Sequence, residues 1–419
     1  MWSKLWVLRT SVDERKSIRH RSILLDRPAS IRKGVRGKVS KIKSLSHHPV
    51  QIREKAQEGN DWLRTATNLA FLQEAPLLSG IMASAVPTVY LRDIQKRSRI
   101  LDGLELRRNR RQLSWLMELF AEMLGCFMFV YLEIIISRGV GCAINKVEAI
   151  VTGQPVLGSS LQAGLAVTFG IAFAVGVCGG TSAGHFNPSF TIAHCVFRGF
   201  PKVKALKYLV AQILGGYIAC MFVYYQYRFL IERFEDILRE GGTLEQTLFT
   251  SGGPAGMFAF YLPKGQSLGA AFLNEWVSSV FVGIVYWASI DPSNSIVTPV
   301  VSPFFSGLAY GVTIWGFGSA GAALNSARDI GSRLWVITIW GQAASGGRFA
   351  AISALTNIPA MLVAAMLYEF LLSDSGRVVT AEALEQIRVT SHHISENTSL
   401  VESTGGDRAS MNDVKGNVI

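Results

Sequence analysis

The sequence predicts an all-α polytopic membrane protein with six transmembrane helices and two re-entrant half-helices arranged as an inverted repeat. Three observations predict it. The 419-residue chain is 49% hydrophobic and only 17% charged, below the quarter or so that soluble domains carry. Its apolar residues gather into long runs only after Arg111. Two further apolar pieces, too short to cross a bilayer, follow Asn187 and Asn325, at matching places in two halves of the body.

The charge is unevenly placed. Residues 1–111 hold 24 Lys and Arg against 10 Asp and Glu, a net +14, whereas residues 112–419 hold 17 against 20, a net −3. The overall +11 therefore belongs to one end of the chain. A basic arm beside an apolar body points to acidic lipid headgroups at least as readily as to nucleic acid, and no groove-reading motif accompanies it, so no nucleic-acid partner is expected. The domain reading is a basic, mostly disordered cytoplasmic extension over 1–110, a channel-like body over 111–372 and a polar cytoplasmic tail over 373–419 that lacks helical periodicity. Within the extension, Leu69 to Leu91 forms an apolar patch interrupted by Pro76 and Pro87 that could lie in a membrane interface.

Six runs are long enough for a hydrocarbon core of ~30 Å, which takes ~20 helical residues. They are roughly Leu113 to Ile136, Gly158 to Gly179, Ala205 to Tyr227, Leu268 to Ile290, Val301 to Gly318 and Phe349 to Leu372. They are too long and too unalternating for barrel strands. Six spans leave residue over: 49 consecutive positions between Glu148 and Arg198 carry no Asp, Glu, Lys or Arg. The surplus from Pro188 to Phe197 would rise only ~15 Å as a helix, half a membrane. Each half, about 113–227 and 268–372, opens with a span bearing one early carboxylate, Glu122 or Glu275. Three spans per half make the halves oppositely oriented. The segment from about 228 to 266 is a long outside loop. Cations before the first span and between the second and third, including Arg198 and Lys204, place both termini in the cytoplasm.

The candidate site lies at the two short pieces. The first begins Gly184-His185-Phe186-Asn187-Pro188-Ser189 and the second Ala322-Ala323-Leu324-Asn325-Ser326-Ala327-Arg328-Asp329. Asn caps helix starts, and Pro suits the first helical position, where its missing N–H would be unpaired anyway. Each Asn also has side-chain N–H groups to offer a solute. Two helix starts whose positive ends face the midplane repel cations and admit neutral molecules. A cation at membrane depth is costly unless it faces water or a partner, so Arg328 is expected on an aqueous path; the alternative is a structural pair with Asp329 or with backbone carbonyls. Nothing in the body resembles a nucleophile-base pair, a metal-ligand cluster or a phosphate loop, and the five Cys (126, 142, 178, 195, 220) lack metal spacing. The expectation is a protein that is not an enzyme and has no cofactor and no metal.

On these motifs, and on Val196-Phe197-Arg198-Gly199-Phe200-Pro201 and Ala211-Gln212, the stretch from Ser114 to Leu372 resembles the major intrinsic protein family, the aquaporins and aquaglyceroporins. It is most similar to a divergent fungal branch with Asn-Pro-Ser and Asn-Ser-Ala-Arg-Asp motifs. The resemblance implies an aquaporin-like bundle with one pore per subunit, a homotetramer, a plasma-membrane address and pore motifs at Asn187, Pro188, Ser189, Asn325, Ser326 and Ala327. It implies loop bracing by Glu122 and Glu275, and a selectivity filter of Arg328, Ala322, Thr313 and Phe169. Phe169 requires a two-residue deletion; counting back from Asn187 without a gap gives Val167 instead. The chain departs from paired Asn-Pro-Ala at Ser189 and Ser326, and Ser fixes the backbone less than Pro. Thr313 and Ala322 leave room for glycerol-sized solutes, and Asp329 after the Arg is similar to the glycerol-conducting subgroup. The expected function is a passive channel for glycerol and water that excludes protons and ions. The alternatives are a pore for water, hydrogen peroxide or ammonia, and a non-conducting structural or regulatory membrane protein. His185 is expected to be a satisfied neighbour of the pore, Gln212, Gly215 and Gly216 to serve helix packing, Tyr224, Tyr225 and Tyr227 to form an interfacial belt, and Glu118 and Glu133 to lie near span ends.

Overall fold

The computed structural model describes residues 98–110, 113–135, 160–317 and 322–389, and these are helical, without strands. Helix α1 (Arg99–Arg110) precedes the body. The first repeat comprises α2 (Ser114–Glu133), α3 (Ser160–Ser182), the short α4 (Pro188–Phe197) and the long α5 (Lys202–Glu240). After a minor turn, α6 (Leu244–Thr247), the second repeat comprises α7 (Leu268–Ser289), α8 (Ser302–Phe317) and α9 (Ser326–Trp340). It closes with α10 (Gly347–Leu355) and α11 (Asn357–Leu367), which together with a π-turn at Tyr368–Leu372 make the last span. Residues 381–389 form a final helix, α12.

Five of these are long and apolar enough to cross a membrane; the fifth crossing, α8, has 16 residues. Packing follows the repeat. As α2 packs on α3 and α5, so α7 packs on α8 and α11; as α4 meets α11, so α9 meets α5; α3 and α8 pair with each other across the axis of exchange. Apolar side chains cover both sides of most of these helices, with Phe169, Phe173, Phe222 and Leu273 among those left exposed on the perimeter. A helix apolar all round belongs in lipid or deep in a core.

Close approach is bought by glycine at two successive positions of α5. A Cβ on Gly215 would sit 2.2 Å from the Met123 carbonyl oxygen of α2, and one on Gly216 would sit 2.9 Å from the Ala327 carbonyl oxygen of α9. One span therefore holds both the opening helix of its own repeat and the half-helix of the other. In lipid, where apolar burial offers no drive for association, such backbone proximity is what packing rests on.

Three segments differ from their sequence reading. The 228–266 stretch is not all loop, because α5 kinks at Tyr227 (φ −113°, ψ 17°) and runs on as helix to Glu240. Ile231 and Phe234 are buried one turn apart, and Arg228 bonds Glu232 at 2.7 Å on the outer side, so this part is an amphipathic helix. The tail is not without helix: the Thr380 hydroxyl accepts the Ala383 amide (3.3 Å) at the start of α12, and the Thr380 amide bonds the Pro292 carbonyl (3.0 Å). The second short piece spans 15 residues against ten in the first. Helix α1 lies within the 1–110 extension; the remainder of that expected disordered arm, including Leu69 to Leu91, and Cys142 lie outside the described residues.

Gly215→Val is expected to prevent assembly, read as loss of the monodisperse peak in detergent chromatography. Gly176→Ala on α3, where a Cβ meets nothing within 4 Å, should leave that peak unchanged.

Candidate functional site: two half-helix tips and the cavity beside them

The tips of α4 and α9 meet, and each is built in the same way. The residue before each Asn, Phe186 (φ 47°) or Leu324 (φ 57°), adopts the left-handed conformation, which costs a non-glycine residue on the order of 1 kcal/mol. Its amide donates to the buried carboxylate of its own repeat: Phe186 N to Glu122 Oε2 at 2.8 Å, Leu324 N to Glu275 Oε1 at 2.7 Å. Its carbonyl accepts the Asn amide of the opposite repeat: Asn325 Nδ2 to Phe186 O at 2.8 Å, and Asn187 Nδ2 to Leu324 O at 2.9 Å. The Asn side-chain oxygen caps its own helix, at Ser189 N (3.0 Å) in one and at Ala327 N (2.9 Å) and Arg328 N (3.2 Å) in the other.

Glu122 takes four donors, adding His185 N (3.0 Å), the Ser182 hydroxyl (2.7 Å) and Gln212 Nε2 (2.7 Å). Glu275 also takes Ala323 N at 2.7 Å. Gln212 thus belongs to the bracing of the first tip, a role that packing arguments alone do not give it. The two serines in place of alanine and proline each have a partner: Ser189 Oγ donates to Asn187 Oδ1 (2.8 Å) and Ser326 Oγ to Asn357 Oδ1 (2.7 Å). His185 bonds Thr191 (3.1 Å) and stacks on His194 at 4.5 Å, itself 2.9 Å from the Tyr286 hydroxyl.

A cavity lies against the second tip, reached by Asn325 and Arg328 from α9, Thr313 from α8, Ala322 before the tip and Val167 from α3. Phe169 is not among its walls. It is 45% exposed, with Phe173 as its ring neighbour, so the expected placement of Phe169 at the cavity is corrected: of the two second-span candidates, Val167 lines it. The reason is helical geometry: two residues turn a side chain about 200°, to the opposite face. The segment after α6 adds Phe260 and Tyr261 to the wall, and α2 adds Phe129 and Glu133. The Tyr261 hydroxyl donates to Ala344 O (2.8 Å), and burial, against the opposing pull of Arg333, pushes its phenol up to about 12.

Arg328 is buried in this cavity wall and is paired, though not with its sequence neighbour Asp329. Its Nε lies 3.1 Å from both oxygens of Glu133, its Nη2 lies 3.0 Å from Glu133 Oε1, and its Nη1 donates to Phe258 O at 2.7 Å. Asp329 instead holds Arg333 at 2.7 Å. Glu133 is the last residue of α2, so its position near a span end agrees with the sequence; its partner is 195 residues away and leaves no local signal. Among the described residues no cluster of three metal-ligating side chains occurs. Cys126, Cys178 and Cys220 are buried, while Cys195 is half-buried, all as free thiols.

Two capped half-helices meeting inside a helical bundle, with polar groups around a cavity at the junction, define a membrane channel rather than an enzyme. The chain belongs to the major intrinsic protein family, whose model matches residues 109–343. It is 47% identical to an aquaporin of Laccaria bicolor over 325 residues, which cover 77% of this chain and 97% of the relative. It is 49% identical to Aquaporin-3 of Laccaria bicolor over 311 residues, covering 74% and 92%. It is 32% identical to Aquaglyceroporin-2 of Rhizophagus irregularis over 223 residues, covering 53% and 65%. The chain is accordingly an integral, multi-pass membrane protein of a channel family.

Glu275→Ala would leave two buried backbone N–H groups without acceptors, at roughly 1–3 kcal/mol each. It is expected to lower the melting temperature in detergent by much more than Ser326→Ala, which removes one side-chain bond worth about 1 kcal/mol.

Proposed function

We propose that the chain is a passive channel for small uncharged solutes, conducting glycerol as well as water and excluding protons and metal ions. The observation that carries this reading is the composition of the cavity beside Arg328, where Thr313, Ala322 and Val167 stand and no bulky side chain of these three positions narrows the wall. A wall that is small or aliphatic at these positions and aromatic at Phe129, Phe260 and Tyr261 accommodates the carbon backbone of a polyol, while Arg328 and Asn325 take its hydroxyls. The name of the Rhizophagus irregularis relative, an aquaglyceroporin, agrees with it.

In this reading Arg328, Thr313, Ala322 and Val167 form the constriction. Asn325 orients the solute at the midplane, while Asn187, whose amide donates to both Leu324 O and the Tyr310 hydroxyl, holds the junction of the tips. Asn325 spends one amide hydrogen on Phe186 O and lines the cavity, so its second is available to a passing hydroxyl. Glu122 and Glu275 brace the tips without touching solute. The helix N-termini present positive partial charge where the tips meet, which is unfavourable for any cation. The active unit is a homotetramer with one pore per subunit, in the plasma membrane, both termini in the cytoplasm and the 228–266 segment outside. The orientation rests on the cations flanking the first three spans.

Purified protein in liposomes, followed by stopped-flow light scattering, tests the reading. Water and glycerol permeabilities should both exceed those of empty vesicles. Water flux without glycerol uptake would mean a water-restricted pore, and neither flux would mean a non-conducting protein. Ala322→Phe is expected to reduce glycerol permeability about tenfold or more while sparing much of the water flux, as an aromatic ring fills the lumen at that level.

A further inference from the structure

The cavity wall holds a carboxylate that the channel reading does not use. Glu133 grips Arg328 through three contacts of 3.0–3.1 Å, and of the two side chains it is the more open, at 12% against 6%. The guanidinium is further held by Phe258 O, by Ser332 Oγ at 3.4 Å and by the Phe260 ring, whose centroid lies 4.1 Å from Cζ. Nearly all its donors are committed to the protein. The adjacent charges cancel separately, because Asp329 and Arg333 form their own pair. The constriction is thus a closed ion pair with no net charge, where a lone arginine would give +1.

We propose that Glu133 is a specificity-determining residue of this channel: by cancelling the Arg328 charge it leaves the constriction electrostatically neutral, so that the exclusion of cations falls to the half-helix ends. The proposal rests on the channel reading and adds to it which charge does the excluding. With the pair intact, cations meet a neutral wall here and are turned back by the half-helix ends at the midplane. Removing Arg328 alone leaves a buried, uncompensated carboxylate facing the lumen, which attracts cations in a medium that screens poorly. Removing both charges restores neutrality. Removing Glu133 alone leaves an unpaired cation that favours anions.

The test is a charge cycle in the full-length protein: wild type, Glu133→Gln, Arg328→Ala and the double variant. Each is reconstituted in liposomes, with sodium and chloride leak measured beside water and glycerol flux. Water and glycerol flux in the wild type decide the channel reading; the ion ratios among variants decide this one. Arg328→Ala is expected to raise sodium leak by about tenfold or more, the effect of ~1.4 kcal/mol on a barrier, and the double variant to fall back to within about twofold of wild type. A double variant that leaks sodium as Arg328→Ala does, or an Arg328→Ala that does not leak, overturns the proposal. Glu133→Gln keeps the side-chain shape and decides the matter even where Arg328→Ala fails to assemble. Its chloride leak should rise several-fold with sodium leak at or below wild type, and unchanged chloride leak overturns the proposal.

Discussion

The structure depends on a reciprocal exchange of hydrogen bonds between the two half-helix tips. Each tip requires one residue in a conformation that side chains disfavour, since only there does the chain aim an amide at a carboxylate behind it and a carbonyl at the asparagine in front. Two cross-bonds of 2.8 and 2.9 Å then join the halves of the protein. Within the first repeat the Cys126 thiol also reaches Phe186 O at 3.0 Å, but the asparagine amide each tip takes comes from the other half. The surrounding helices follow from this demand. Carboxylates stand early in α2 and α7 because the tips need acceptors, and α5 carries adjacent glycines because it must reach both α2 and α9.

Charge is handled by the same economy of pairing. The buried arginines of α9 each face a carboxylate, from Glu133 at the end of α2 and from Asp329 one turn back. At the other end of the bundle Arg198 bonds Glu369 at 2.7 Å, and Glu369 also accepts the Trp287 indole at 2.8 Å. The buried pairs of α9 add little net stability over apolar packing, yet leaving one partner alone is costly, so their presence marks positions where a polar lining is wanted.

Much of this was legible in the sequence because lipid imposes simple rules on it. Run length located the crossings, the absence of charge over 149–197 revealed an extra piece, and Pro188 to Phe197 is the observed extent of α4. What the sequence did not disclose depended on rotation or on distance along the chain. Phe169 and Val167 differ by two residues and face opposite ways, which a pattern of aromatic and glycine cannot register when both faces of α3 are apolar. Glu133 and Arg328 lie in different repeats, and nothing near either announces the other. The continuation of α5 past Tyr227 and the helix after Thr380 did leave local signs, a paired Arg228 and Glu232 and a threonine cap, weaker than the hydropathy that surrounded them.

The cross-bonds between the tips also fix an order of events during synthesis. Asn187 and its acceptor Leu324 are separated by 137 residues, whereas Glu122 and the amide it braces, Phe186, are separated by 64. The brace is complete once the ribosome has passed the first repeat. The Phe186 carbonyl takes the Cys126 thiol within the first repeat but gains the Asn325 amide only once the second repeat has been translated, so the junction of the tips closes after the brace that supports it.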